Sequence, residues 1–271
     1  MEDLFSLEKT VAVITGGFGQ LGQEFCNALV SYGSTVAVID IVEKPRTVSV
    51  EFSRFVSDGK IKVYKADITK KKEIEDICGQ ITVDLGVPNI LINNAAIDSP
   101  PNAPIEENGP FETYPIESLQ KILDVNIVGV FVCSQVFGDV MAKNGKGSII
   151  NISSIYGNVS PVQDIYEYKR KNGIDWYKPA PYALTKSAIL NFTRYLATYW
   201  AKKGVRVNSL SPAGIFNNQE DEFLKEYYKR IPIGRMANAN ELNGAIVFLA
   251  SDASSYMTGA NLIVDGGWTA W

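Results

Sequence analysis

The chain has 271 residues, of which 46% are hydrophobic and 21% are charged, the mixture expected of a globular protein with a full core. Its 26 basic and 30 acidic residues give a net charge of −4, which argues against a nucleic-acid-binding protein. Histidine is absent, so histidine-based triads, histidine-ligated zinc and histidine proton shuttles are excluded. The three cysteines have no metal-ligand spacing, so we expect reduced thiols and no metal site: Cys26, Cys78 and Cys133.

Neither a targeting segment nor a membrane span is expected from the sequence. Residues 1–8 show no basic segment followed by an apolar core, which is the pattern of a signal peptide. The longest apolar candidate, residues 125–138, is interrupted by Asn126, Ser134 and Gln135 before it reaches the roughly 18 residues of a span. We therefore expect a cytoplasmic protein that handles a small molecule, with no nucleic-acid or membrane partner.

Apolar, β-branched runs alternate with stretches of helical periodicity along the chain. Strands are predicted at 11–15, 35–39, 61–64, 89–92, 148–152, 205–210 and 261–264, and helices at 21–32, 70–85, 118–143, 182–203 and 240–251. Strands that are apolar throughout suit a parallel sheet buried on both faces, and strand–helix alternation is typical of βαβ units. Because such crossovers are right-handed, we expect a doubly wound, Rossmann-like α/β sandwich of about seven strands in three layers. One catalytic domain is expected to span residues 1–271.

A glycine-rich turn, Thr15-Gly-Gly-Phe-Gly-Gln-Leu-Gly22, follows the first predicted strand and opens the first helix. Glycine lets the backbone approach a pyrophosphate, and the helix N-terminus offers free N–H groups and the positive end of its dipole. The alternative is a plain strand-to-helix turn without a ligand. The turn predicts dinucleotide binding by Gly16, Gly19, Gln20, Leu21 and Gly22.

Asp40 supports that interpretation and bears on the choice of cofactor. It ends the second predicted strand about 20 residues further on, where a carboxylate would accept hydrogen bonds from an adenosine ribose. The same carboxylate would repel a 2′-phosphate, and no basic residue stands at 17–20 or 41–43 to bind one. Lys44 and Arg46 follow closely, so NAD is favoured and NADP stays open. The alternative for Asp40 is a solvated acid at a strand end.

Tyr182 and Lys186 are four positions apart, a spacing that places them on one face of a helix. A tyrosine has a reference pKa of about 10, and a nearby cation favours its phenolate. In a chain without histidine, Tyr182 is therefore a candidate general acid/base. The same spacing recurs at Tyr199 and Lys203, but Tyr199 falls on an apolar helical stripe and is interpreted as a packing residue.

Ser153 and Ser154 end the predicted strand at 148–152. The carboxyl ends of parallel strands form the ligand edge of a doubly wound sheet. A serine at that edge can donate a hydrogen bond to a carbonyl oxygen, and the alternative is that the pair only caps a turn.

These motifs, in this order, resemble the short-chain dehydrogenase/reductase family over essentially the whole chain. Each motif is modest alone, but the ordered set is specific. The resemblance implies hydride transfer between a nicotinamide and an alcohol or carbonyl. The matching positions are 15–22, Asp40, 66–68, 93–96, Asn126, Ser154, Tyr182, Lys186, 211–215 and 264–267.

The resemblance also implies roles for individual residues. Tyr182 would be the acid/base, Lys186 would lower its pKa and hold the nicotinamide ribose, and Ser154 would polarise the carbonyl. Asn126 would hold a water in a proton relay, the alternative being that it merely interrupts a buried helix. Asp67 would meet the adenine edge, the alternative being a helix cap. Further implied cofactor contacts are Ile68, Asn94, Ala95, Pro212, Ala213, Gly214 and Ile215.

The sequence departs from the family pattern in two ways. Gln20 stands where glycine or alanine is usual, and Ala96 and Ala213 replace common glycines. Ser154 and Tyr182 are 28 positions apart, which is much further than in most members of the family. An insertion therefore separates two catalytic groups.

The insertion, residues 163–177, combines aromatic side chains with charges of both signs. Because its ends are fixed at the catalytic groups, we expect it to project beside the nicotinamide. Two further irregular segments, 98–115 and the family's lid segment 216–232, leave the same edge of the sheet; loops of this length are usually functional. The aromatic and polar groups favour a sugar-like or nucleotide-linked substrate, and the insertion serving only subunit contacts is the alternative. The predicted substrate contacts are Ser154, Tyr166, Tyr168, Trp176, Tyr177 and Phe216.

The resulting hypothesis is an NAD(P)-dependent oxidoreductase, similar to bacterial relatives associated with surface-polysaccharide or flagellar-sugar synthesis. One alternative is a catalytically silent dinucleotide-binding sensor or scaffold, and another is a dehydratase or epimerase that retains its NAD. A sensor needs the glycine turn but not the catalytic residues. The predicted helices 118–143 and 182–203 are apolar on more than one face, so we also expect a homotetramer or a homodimer.

Overall fold

The apolar runs of the sequence form one parallel sheet in a computed structural model that describes residues 3–45, 47–98 and 105–271. Its strand order is β3-β2-β1-β4-β5-β6-β7, and the crossovers place helices on both faces. This confirms the predicted doubly wound, three-layer α/β fold. The strands are β1 Val11–Thr15, β2 Thr35–Asp40, β3 Ile61–Lys65, β4 Ile90–Asn93, β5 Gly147–Ile152, β6 Val205–Pro212 and β7 Asn261–Val264.

The helices agree with the predicted periodic segments and add three short ones, α2, α6 and α8, which are too short for periodicity to identify. From the sequence, Arg46 is a possible ligand of a 2′-phosphate, and residues 98–115 are expected to form a loop. Arg46 and residues 99–104 of that loop lie outside the described residues. The helices are α1 Gln20–Ser31, α2 Val50–Ser57, α3 Lys71–Asp84, α4 Ile116–Leu123, α5 Val130–Asn144, α6 Glu167–Lys171, α7 Ala180–Trp200, α8 Asp221–Tyr228 and α9 Asn243–Ala250.

Two apolar cores lie on opposite faces of the sheet. Alternate residues of each central strand point into opposite cores: Val13 packs on the face of α3, α5 and α7, and Ile14 on the face of α1 and α9. All five residues of β1 are buried, which explains why this strand is apolar up to its last residue, Thr15.

The predicted helix over 118–143 is divided by a π-helical turn. α4 and α5 are joined by the π-helical turn Asp124–Gly129, which contains the buried Asn126. Such turns often mark functional sites. The continuous helix Ile116–Asn144 has the length and composition of a membrane span, but half of its most apolar part is buried within the fold, as in a core helix.

A third apolar cluster covers the carboxyl edge of the sheet. The inserted segment supplies Ile165 and Tyr166, α8 supplies Tyr227, and the C-terminal segment supplies Trp268, whose ring centroid is 4.5 Å from that of Tyr227. The insertion, the lid helix and the chain end therefore form one roof above the strand ends. The space between this roof and the sheet contains the candidate active site.

Candidate active site

The glycine turn between β1 and α1 is shaped by close backbone contacts. Gly16 has a φ of +64°, and a Cβ there would lie 2.8 Å from the Cα of Ala95. A Cβ on Gly22 would lie 2.3 Å from the carbonyl oxygen of Gly16. In the described part of the chain no side chain caps α1, and its first turn carries no acid, so its N-terminal dipole is available to an anion.

Asn94 fixes the turn from the neighbouring strand. Its Nδ2 donates to the carbonyl oxygens of Thr15 at 3.1 Å and Gly16 at 3.0 Å. The Thr15 hydroxyl in turn accepts the N–H groups of Asn94 and Ala95, each at 3.1 Å. The turn is therefore held in place before any ligand binds.

Asp40 ends β2 beside this turn. Its two carboxylate oxygens accept the N–H groups of Phe18 and Val42, each at 3.2 Å, which fixes the orientation of the carboxylate. It borders a cavity of about 440 Å³ that has room for the adenosine half of a dinucleotide. Gly22 lies beneath the turn, and the other predicted residues that line the cavity are Gly16, Gly19, Gln20, Leu21, Asp67, Ile68, Asn94 and Ala95.

Asp67 lines this cavity and also caps a turn. Its Oδ1 accepts the N–H of Thr69 at 2.9 Å and the hydroxyl of Thr69 at 2.8 Å. Asp67 does not cap α3, whose N-cap is Lys70, so the helix-cap alternative does not hold; its place at the cavity is compatible with an adenine contact.

Gln20, the departure in the turn, connects the turn to the lid segment. Its Nε2 donates to the carbonyl oxygen of Phe216 at 2.8 Å, across 196 positions of sequence. A glycine or alanine could not make this bond. The Phe216 side chain is 40% exposed and does not line the catalytic cavity.

Ser154, Tyr182 and Lys186 converge at the carboxyl end of β5. The Ser154 oxygen accepts the N–H of Tyr156 at 3.1 Å, and Ser154 lines the same cavity as Tyr182. The buried Lys186 ammonium donates to the carbonyl oxygen of Ile152 at 2.7 Å and lies 5.6 Å from the centre of the Tyr182 ring. The predicted helical face therefore brings the phenol and the ammonium together.

Burial dominates the electrostatics of this group. It raises the pKa of the Tyr182 phenol above its ordinary value; the negative charge of Asp98 raises it further, and the Ser154 hydrogen bond lowers it. Burial lowers the pKa of Lys186 to about 8, against the opposing effect of Asp98. Desolvation is therefore the largest influence on the phenol in the protein alone, and the lowering of its pKa by Lys186 stays a prediction.

Asn126 positions neighbouring segments with its side-chain amide. Its Oδ1 accepts the N–H of Ile97 at 2.8 Å, and its Nδ2 donates to the Ile97 carbonyl at 2.9 Å and to the Thr185 hydroxyl at 3.1 Å. It therefore connects the start of the 97–115 segment to α7 one turn after Tyr182. The water-holding role implied by the family stays a prediction.

A second cavity, of about 370 Å³, lies over the catalytic residues and shares Leu21, Asn94 and Ala96 with the adenosine cavity. The predicted segment 212–215 lines it. Sequence reasoning missed Lys178, although a charge one helical turn before the catalytic tyrosine was a usable signal. It also missed Asp98, Tyr156, Gln219, Phe223, Tyr227 and Met236.

Of the aromatic residues predicted in the insertion, the structure brings only Tyr166 to this cavity. Trp176 packs against Tyr166, with ring centroids 4.1 Å apart, and does not line the cavity. Tyr177 lines a separate cavity because its N–H donates to the carbonyl of Asn108 at 2.6 Å. Tyr168 donates its hydroxyl to Glu220 at 2.6 Å, next to the lid helix. The insertion folds back on itself and on the lid, which turns these three rings away from the substrate space.

Replacement of Lys186 by methionine should keep or raise stability at pH 7 while activity and cofactor affinity fall. The folded pKa of about 8 lies below the ordinary 10.5, so the unfolded chain binds more protons between these values. This group therefore adds stability as pH rises through that window, and its buried charge is most costly below pH 8. Thermal unfolding of both proteins from pH 7 to pH 10.5 should show the advantage of Lys186→Met shrinking. A lower Tm for the variant than for wild type at pH 7 would contradict the conclusion that the buried Lys186 ammonium destabilises the folded protein.

Comparisons with known proteins give consistent matches. The family model described as enoyl-(acyl carrier protein) reductase matches residues 20–269. A sorbose reductase from Candida albicans is 32% identical, covering 98% of this chain and 89% of its own length. A gluconate 5-dehydrogenase from Gluconobacter oxydans is 32% identical, covering 98% of this chain and 97% of its own length.

Solved structures match equally broadly. A short-chain dehydrogenase from Leptospira borgpetersenii with bound NAD⁺ is 35% identical, with a TM-score of 0.85 over 99% of this chain and 96% of that one. A gluconate 5-dehydrogenase from Burkholderia cenocepacia, in complex with NADP and tartrate, is 27% identical. Its TM-score is 0.84 over 99% of this chain and 98% of that one.

Proposed function

Because this chain belongs to the short-chain dehydrogenase/reductase family, we propose that it is an NAD-dependent oxidoreductase of sugars, polyols or their acids. The observation that carries the proposal is the convergence of Ser154, Tyr182 and Lys186 beneath a cavity whose other walls present phenol hydroxyls and amides. Such groups suit a polyhydroxylated substrate better than a lipid. The sugar and sugar-acid enzymes among the relatives support this substrate class.

Each residue of the site has its own role in the proposed hydride and proton transfer. The nicotinamide, when bound, accepts the hydride from the substrate carbon in oxidation and supplies it in reduction. Tyr182 takes the alcohol proton on its phenol oxygen, or returns it in the reverse direction. The Ser154 hydroxyl lies beside Tyr182 at the cavity, where it would donate to the substrate oxygen. Lys186 would hold the nicotinamide ribose.

The test of this proposal is cofactor-dependent turnover. We expect NADH formation or consumption, followed at 340 nm, with a panel of hexitols, ketoses and aldonates, and weak or no activity with long-chain alcohols. A protein that binds NAD in calorimetry but reduces or oxidises none of these would favour the silent sensor instead. The intact Ser154–Tyr182–Lys186 set argues against that alternative.

Asp40→Ala should shift the cofactor preference toward NADP. The substitution removes the negative charge that would repel a 2′-phosphate, and we expect the ratio of kcat/KM for NAD to that for NADP to fall by about tenfold or more. Asp40→Asn is the matched variant, because it removes the charge and keeps an acceptor for a backbone N–H. Unchanged discrimination in both variants would show that Asp40 does not face the ribose.

A homotetramer, or failing that a homodimer, is part of the proposal. Aromatic side chains of α5 and α7 lie at the surface: Phe131 stacks on Phe192 at 5.6 Å, and Tyr195, 62% exposed, stacks on Tyr199 at 6.1 Å. An apolar surface of this kind favours burial against another copy. Light scattering at micromolar concentration should give a mass of two or four times 29.8 kDa, and a monomer would contradict the proposed oligomer.

A cytoplasmic location is also part of the proposal. It is supported by the three cysteines, which are free and buried.

A further inference from the structure

Lys178 brings a sheltered positive charge into the substrate space. It lies at the end of the inserted region, just before α7, and its side chain is only 11% exposed. Its ammonium lies 5.1 Å from the centre of the Tyr182 ring, and the residue lines the catalytic cavity together with Ser154. A charge this close to the acid/base is placed to contact whatever reacts there.

The counter-ion of Lys178 is replaceable. Asp98 forms a hydrogen-bonded ion pair with Lys178, but its own side chain is 50% exposed. An anion that enters the cavity can therefore replace Asp98 as the partner of the Lys178 ammonium. The half-exposed Asp98 carboxylate would then be solvated at little cost in free energy. An ammonium sheltered from water is costly without a partner, and the exchange keeps Lys178 paired throughout.

The remaining charges of the cavity make Lys178 the group available to a ligand. Among the described residues, Lys178 and Lys186 are the basic residues that line the cavity and Asp98 is the acidic one. Lys186 already donates to the Ile152 carbonyl. Uncharged hydrogen-bonding groups, from Tyr156, Tyr166 and Gln219, complete the polar wall and suit hydroxyls of the same molecule.

We propose that Lys178 binds a carboxylate of the substrate, so that the enzyme prefers sugar acids, meaning aldonates and keto-aldonates, to neutral polyols and ketoses. The inference rests on the proposed oxidoreductase function and assigns the charge of its substrate. The competing explanation is that the Lys178–Asp98 pair only ties the insertion to the 97–115 segment. A tie of this kind would not distinguish a charged substrate from a neutral one.

The experiment compares the ratio of kcat/KM for D-gluconate to that for D-sorbitol, with NAD, in wild type and Lys178→Met. Wild type should favour gluconate, and the variant should lower the ratio by about 10- to 100-fold, mainly through the KM for gluconate, because a hydrogen bond to a charged group is lost. Lys169→Met is the matched control. Lys169 lies in the insertion that precedes Lys178 and pairs with Glu220 at 3.2 Å outside the cavity, so the gluconate-to-sorbitol ratio of Lys169→Met should equal that of wild type.

Two results would overturn the inference alone: a wild type that prefers sorbitol, or a Lys178→Met variant that loses both substrates equally. Turnover of neither class, or of long-chain alcohols only, would overturn the proposed function and the inference with it. NAD binding by calorimetry in each variant shows that the cofactor half of the site is intact. A change in that affinity for Lys178→Met alone would favour the structural tie.

Discussion

Tyr182→Phe is expected to lower kcat by about 10²- to 10⁴-fold, the usual contribution of a general acid/base. The substitution removes the only atom that can exchange the proton and keeps the ring that packs beside Lys186. The NAD dissociation constant should therefore stay near the wild-type value. Steady-state kinetics with a polyol substrate, together with calorimetric titration of NAD, checks both halves of this expectation.

The chain provides its own matched control. Tyr199 and Lys203 repeat the spacing of the catalytic pair, but Tyr199 lies exposed on the outer face of α7, far along the helix from the cavity. Tyr199→Phe keeps the ring that stacks on Tyr195 and removes only a hydroxyl outside the cavity, so kcat should stay within about twofold of wild type. If folded Tyr182→Phe retained substantial turnover, the assignment of the acid/base would be wrong.

Replacement of residues 163–177 by a short Gly-Ser link should raise the substrate KM by about tenfold or more, the cost of roughly 1.4 kcal/mol of lost binding. The segment places Tyr166 in the cavity wall and buries Ile165 in the roof cluster. Tyr166 also packs against Phe223 of the lid helix, with ring centroids 5.6 Å apart, so the lid loses support as well. NAD affinity should change little, because the adenosine cavity is lined by other segments.

A single substitution distinguishes the contribution of the Tyr166 hydroxyl from that of the whole insertion. Tyr166→Phe keeps the ring contacts with Trp176 and Phe223 and removes only the hydroxyl, which is hydrogen-bonded to Tyr156. Its effect on KM should be clearly smaller than that of the full replacement. Unchanged kinetic constants in the shortened, folded protein would show that the insertion serves subunit contacts instead.

The sequence by itself determined the fold class and many of the residues that line the cavity beside Asp40. The apolar strands, the glycine turn and Asp40 are local patterns, each imposed by the backbone geometry or the burial of one short segment. The buried strand β1 is apolar up to Thr15, and a turn in which a Cβ on Gly22 would lie 2.3 Å from a carbonyl oxygen requires glycine. Tyr182 and Lys186 were likewise predictable, because four residues along a helix fix a shared face.

Only the tertiary structure decided which side chains line the cavity over Tyr182. Lys178 and Asp98 are separated by 80 positions, and the segments that carry them are irregular, so no periodicity indicates their meeting. The same holds for the orientation of Trp176 and Tyr177, which depends on how the insertion folds back on itself. The protonation of Tyr182 also follows from the assembled fold, since burial raises its pKa although a lysine lies one helical turn away. Side-chain direction in irregular segments and desolvation both arise from contacts between distant parts of the chain, which local sequence patterns do not encode.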